Sequence, residues 1–155
     1  MRYLIAFFIG LAATVTLAVA PPVAATPASH VSTGLDPAPR HWVSVDLSEQ
    51  TLTAYEDEVA IKTFVVSTGD ADHPTLRGRY HVKAMWEKID VIGKDYYFHD
   101  VPHFIKYYGS FAIHAATWHD DFGTPVSHGC VNMKPEDAKW VYEFLSVGDL
   151  VYIHK

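Results

Sequence analysis

From His41 onward the chain alternates between apolar and polar positions. In HWVSVDL, Val43, Val45 and Leu47 share one side while Trp42, Ser44 and Asp46 share the other, the period of two that marks a half-buried strand. Ser48-Glu49-Gln50 turns the chain into a second strand, Thr51 to Tyr55, paired with the first as a hairpin. A second, acidic turn at Glu56-Asp57-Glu58 leads into Val59 to Thr68, a run rich in β-branched residues and a third predicted strand. Gly69 to Gly78 reads as a polar loop, Arg79 to Trp86 alternates again, and Ile89 to Tyr108 is aromatic without a clear period. Phe111 to Ala115 is a short strand and Leu150 to His154 a closing one. Between them lies one convincing helix, Lys134 to Val147. Pro135 suits its first turn, Glu136 and Asp137 favour the positive end of its dipole, and Ala138, Val141, Phe144 and Leu145 recur on one face, with Gly148 as the stop. The pattern predicts a mainly β fold with a single late helix against the sheet.

The segment ahead of His41 is different. Arg2 is followed by an uncharged apolar run from Tyr3 to Ala20, then by small residues and prolines, the layout of a signal peptide, here over residues 1–25. An uncleaved membrane anchor is the other reading, although the run is just short of the ~20 residues that span a bilayer. Either way the body is expected outside the cytoplasm, in the periplasm or cell wall, touching membrane only through this segment. Residues 26–40 hold three prolines and several hydroxyl residues and read as a linker, leaving 41–155 as the folded domain. For a chain of 155 residues, 49% hydrophobic and 19% charged, that is ordinary globular composition. A net charge of -6 without a Lys/Arg run argues against a nucleic-acid partner. The single cysteine excludes an internal disulfide and any CxxC site.

That cysteine changes the picture most. Cys130 follows Ser127-His128-Gly129 and precedes Val131-Asn132, with His114 sixteen positions upstream. A free thiol has a pKa of about 8.5 and needs help to act at neutral pH. An imidazole within reach can take its proton and return it to a leaving amine. Gly129 lets the backbone approach a substrate, so that amides around Cys130 face a developing oxyanion. A lone cysteine is more often a small core residue, but export and the Ser-His-Gly flank favour chemistry. His99, His103 and His119 lack an HExxH or His-x-His arrangement, so no metal is expected.

Ser127-His128-Gly129-Cys130-Val131-Asn132 with His114 upstream resembles the signature of the L,D-transpeptidase catalytic domain, the YkuD family. Four further stretches agree: Val45 to Leu52, Val66-Ser67-Thr68-Gly69, Gly78-Arg79-Tyr80 and Ala112-Ile113-His114. The chain departs from the family at Pro74-Thr75-Leu76-Arg77, where Thr-Pro is common, and at Ala115, where glycine is common. The resemblance implies a β-sandwich-like mixed sheet with one helix after the catalytic cysteine, and no cofactor. It implies that Cys130 attacks a peptidoglycan tetrapeptide stem, releases D-alanine, and passes the acyl group to an amine in a 3–3 cross-link, or to water as an L,D-carboxypeptidase. It assigns His114 as the base, its other nitrogen held by a backbone carbonyl such as that of Ala115. Ser127, His128, Gly129 and Asn132 would shape the pocket and oxyanion site, Trp118 would be a substrate wall, and carbapenem-type inhibitors would acylate the thiol. An NlpC/P60-type amidase or endopeptidase is the wrong order, since there the cysteine comes first. A sortase needs an arginine after the cysteine, and the last arginine is Arg79. A wall-binding domain that has lost catalysis is the remaining alternative.

Overall fold

The computed structural model describes residues 40–155 apart from Asp95. The signal or anchor at 1–25 and nearly all of the linker lie outside the described residues. Nine strands and one helix follow in the order β1 (His41–Asp46), β2 (Thr51–Glu56), β3 (Val59–Val65), β4 (Gly78–His81), β5 (Ala84–Ile92), β6 (Tyr97–Tyr108), β7 (Phe111–Ala115), β8 (Val131–Met133), α1 (Pro135–Phe144) and β9 (Leu150–His154). They form a five-stranded sheet, β3-β2-β1-β9-β4, and a four-stranded sheet, β5-β6-β7-β8. The predicted hairpin is present, with Val43 opposite Ala54 and Val45 opposite Leu52. β9 returns parallel to β1, and β8 lies parallel to β7, so both sheets are mixed.

The alternation decides what is buried. Val43, Val45, Leu52, Ala54, Val151 and Ile153 from the first sheet join Ile105, Tyr107, Ile113, Ala115, Val131 and Met133 from the second in one core, with Ala138 and Val141 of α1. Burial of this kind contributes about 25 cal/mol per Å² of apolar surface and holds the two sheets face to face. The helix also reaches the first sheet through Trp140, whose ring lies 5.3 Å from that of Phe64.

Three expectations need correction. Arg79 to Trp86 is two strands in different sheets. The chain crosses over at Val82-Lys83: Val82 N–H still donates to Asp149 O, just before β4's partner β9, whereas Lys83 N–H donates to Lys106 O of β6. Side-chain alternation continues through the bend, so a period of two cannot register the change of sheet. Ile89 to Tyr108 is not irregular but holds the end of β5 and the longest strand, β6. Its pattern is blurred by register shifts at Ile89/Val91 and Lys106/Tyr108, by positive φ at Asp100 and His103, and by Pro102. Proline is tolerated there because β7 pairs with β6 only from Ile105 onward, leaving the missing N–H on an open side. Finally, α1 ends at Phe144 rather than Val147, since Leu145 is already extended. Gly148 serves the next turn, at φ 103, with its N–H on Val82 O.

Candidate active site

β7 ends in Ala112-Ile113-His114-Ala115, and β8 begins one residue after Cys130. Their parallel pairing sets Ile113 against Val131 and His114 against Asn132, which brings the upstream histidine and the cysteine together. Both line one cavity of about 300 Å³, with Trp118, Ser127, His128 and Asn132 among the other walls. All the side-chain-bearing residues expected at the site therefore meet in one place.

His114 is 3% exposed. Its Nδ1–H donates to Ala115 O at 2.9 Å, so the proton sits on Nδ1 and Nε2 is the free base. Phe104 stacks on the ring at 5.4 Å and 8°. Desolvation in this setting holds the imidazole down at about 4, opposed by the bond to Ala115 and aided by His119 nearby. Cys130 is half-buried against Val101, Phe104 and Ala112, and burial pushes its thiol up to about 11. The resting pair is thus a neutral thiol and a neutral imidazole. Sγ donates to Ser110 O at 3.8 Å, so in this geometry its proton is directed at a backbone carbonyl.

The turn that presents Cys130 is held from both sides. Ser127 Oγ–H donates to Cys130 O and accepts the Gly129 N–H at 3.1 Å. Ser127 is also bridged to the loop at residues 68–70, its N–H on Thr68 O and its O accepting from Asp70 N–H. Gly129 takes φ 111, and a Cβ there would stand 2.7 Å from Phe111 Cε1, so glycine is required twice over. Its N–H is engaged by Ser127 rather than left for an oxyanion. His128 lies between the rings of His73 at 4.5 Å and Tyr96 at 4.8 Å. Trp118 stacks on Phe98 at 3.8 Å and 10°.

The sequence left some contributors unseen. Thr75, 5% exposed, donates to Gly129 O at 2.8 Å and accepts Gly69 N–H at 2.8 Å. The loop where the family's Thr-Pro is replaced thus ties itself to the cysteine turn through this hydroxyl. Gln50, at φ 52, holds Thr68 through both ends of its amide. Val91, Tyr96 and Phe98 supply the far wall from the stretch read as irregular. The Val66-Ser67-Thr68-Gly69 motif was the available pointer to that loop. Elsewhere, Asp90, His99 and Asp100 are the one trio among the described residues whose ligand atoms lie within 4.8 Å of one another. It is exposed and bonded within itself, with His99 Nδ1 2.6 Å from Asp90 Oδ1, and it is separate from Cys130 and His114.

A lone thiol and a buried neutral imidazole in one cavity, on a turn braced by backbone bonds, define a thiol-dependent catalytic domain. The chain belongs to the YkuD family of L,D-transpeptidase catalytic domains, whose model matches residues 40–153. It is 29% identical over 123 residues to L,D-transpeptidase 2 of Mycobacterium tuberculosis, covering 71% of this chain and 30% of that protein. An L,D-transpeptidase structure from Stackebrandtia nassauensis is 28% identical, with a TM-score of 0.69 over 83% of this chain and 62% of that one. The fold is shared with the L,D-transpeptidase LdtMt1 in complex with imipenem, at 22% identity and a TM-score of 0.70, over 75% of this chain and 59% of that one. The chain spans less than two thirds of the length of each of these relatives.

Proposed function

We propose that this protein is a peptidoglycan L,D-transpeptidase with Cys130 as nucleophile and His114 as general base and acid. The observation that carries the reading is the tautomer of His114. Its Nδ1–H is committed to Ala115 O, and the cavity it shares with Cys130 leaves Nε2 to take the thiol proton. Because the resting pair is neutral, proton transfer accompanies attack instead of preceding it. As Sγ bonds to the carbonyl carbon of the stem, its proton passes to Nε2. The imidazolium then gives that proton to the departing D-alanine amine as the C–N bond breaks, leaving a thioester. With the Gly129 N–H already taken, the oxyanion falls to the N–H of Cys130 itself. An acceptor amine attacks the thioester, its proton moves to Nε2 and on to Sγ, and the enzyme is restored.

The substrate is a tetrapeptide stem, bound between Trp118–Phe98 on one side and His128–Tyr96 on the other. Residues 1–25 as an export signal or anchor put the domain where such stems are found, in the periplasm or cell wall, with 26–40 as its linker. Carbapenems enter the same cavity as donor mimics, a reading supported by the structure of LdtMt1 in complex with imipenem. The test is incubation of residues 26–155 with a tetrapeptide stem. Release of D-alanine with a dimer one D-alanine lighter than two stems supports transfer. D-alanine release with tripeptide alone would make the protein a carboxypeptidase, and no release a wall-binding domain.

A further inference from the structure

The loop from Gly69 to Arg77 is built around one carboxylate. Asp70 Oδ1 gathers three donors: Asp72 N–H at 2.9 Å, His73 N–H at 2.7 Å and His73 Nδ1–H at 3.0 Å. Those bonds, the His73 N–H first among them, hold the Asp70 carboxyl below the usual carboxylate range. Asp70 is therefore ionised, and Nδ1 is the donating nitrogen of His73. The turn is tied to the cysteine segment, since Asp70 N–H donates to Ser127 O at 3.0 Å. A Cβ on Gly69 would collide with His73 O, so the backbone of the turn is closely packed as well. The His73 ring is thus fixed although 48% of its side chain is exposed.

The fixed ring faces His128. Their centroids are 4.5 Å apart, and Tyr96 packs against His128 at 4.8 Å from the turn between β5 and β6. His128 lines the thiol cavity with Cys130. Held by stacking, it keeps its ring nitrogens for a ligand, and His73 keeps Nε2. The rest of the lining offers no cation. It includes no lysine or arginine and does include the carboxylate of Asp121. Burial holds His114 neutral, at about 4, and His119 Nε2 is engaged by Asn132 Nδ2 at 2.9 Å.

We propose that His73 and His128 together bind the terminal carboxylate of the donor stem, which makes His73 a specificity-determining residue. The proposal rests on the transpeptidase reading. Cys130 breaks the last peptide bond of the stem, so the free carboxylate of D-alanine follows the scissile nitrogen by two bonds, about 2.5 Å. An anion must then be accommodated close to Cys130, in a cavity that already holds Asp121. A carboxylate laid across the edges of two rings 4.5 Å apart reaches both. His128 donates from its ring N–H. His73 donates from Nε2 with a proton taken up from solvent, leaving an imidazolium between the stem carboxylate and Asp70. Hydrogen bonds of this charge-assisted kind are the short and strong ones. A stem whose last residue is capped as an amide lacks the anion and is a poorer donor.

The test compares two donors, a tetrapeptide stem and the same stem with its D-alanine carboxylate capped as an amide. Release of D-alanine or D-alaninamide is read by mass spectrometry. Wild type is expected to favour the free acid in kcat/KM by about tenfold. His73→Phe keeps a ring against His128 and removes both nitrogens. In it the KM for the free acid should rise about fivefold, and the acid-to-amide ratio of kcat/KM should collapse toward one. His73→Gln, which keeps one N–H donor, should retain part of that ratio. A residue that merely braced the cysteine turn would slow both donors alike, so an unmoved ratio in His73→Phe and His73→Gln overturns the proposal. Wild-type protein that processes acid and amide equally well overturns it too, with the transpeptidase reading intact. Wild-type protein that releases nothing from either stem overturns the transpeptidase reading, and the carboxylate site falls with it.

Discussion

His114 stands directly opposite Asn132 in the parallel pairing of β7 and β8. That one register explains why sixteen intervening residues are compatible with a two-residue site: the loop between leaves β7 and returns on its neighbour. Cys130 falls just before the returning strand, at the mouth of the pair, where a backbone turn instead of a ladder sets its direction.

Exchanging His114 for Gln removes the base and keeps the shape. With paired groups acting as a unit, turnover in His114→Gln should fall about as far as in Cys130→Ala, at least about a thousandfold. Near-normal D-alanine release from His114→Gln would remove His114 from the mechanism.

The same residue ties stability to pH. In the unfolded chain the imidazole takes a proton near its usual ~6.5, whereas burial holds the folded group at about 4. Between those values the unfolded state binds more protons, so stability falls as pH drops through this window. Urea midpoints measured from pH 7 to 4 should decline more steeply for wild type than for His114→Gln. Parallel curves would contradict the buried neutral histidine.

Turnover should respond differently. A neutral thiol and imidazole persist from above about 4 to below about 11, so the acylation rate should be flat from pH 6 to 9. A rise of tenfold per unit through that range would mean that free thiolate attacks.

Thr75 is a test of the brace under the cysteine turn. Thr75→Val keeps the volume but strands Gly129 O and Gly69 N–H, at a cost of about 1–3 kcal/mol. A lowered melting temperature with a reduced acylation rate is expected, and Thr75→Ser should restore both. A Thr75→Val protein as stable and as fast as wild type would show that the hydroxyl holds nothing.

Much of this was legible beforehand because it is local. The hairpin, β7, the helix start and the Ser-His-Gly-Cys turn are each written in a short run of residues, and the motif with His114 carried the family. What was not legible depends on partners remote in sequence. β8 is three residues long and is held by β7 on one side and by Ser67 on the other. The switch at Val82-Lys83 is a change of neighbour without a change of pattern. Pro102 hides a strand until the open side of β6 is seen. Thr75 and Gln50 look like ordinary polar loop residues until their hydrogen bonds close over Gly129 and Thr68.

The most direct test of the central claim is the intact mass of residues 26–155 after incubation with imipenem, beside Cys130→Ala. A single adduct on wild type and none on a folded Cys130→Ala is the predicted result. An unmodified wild-type protein whose Cys130 still reacts with a small thiol reagent would contradict it.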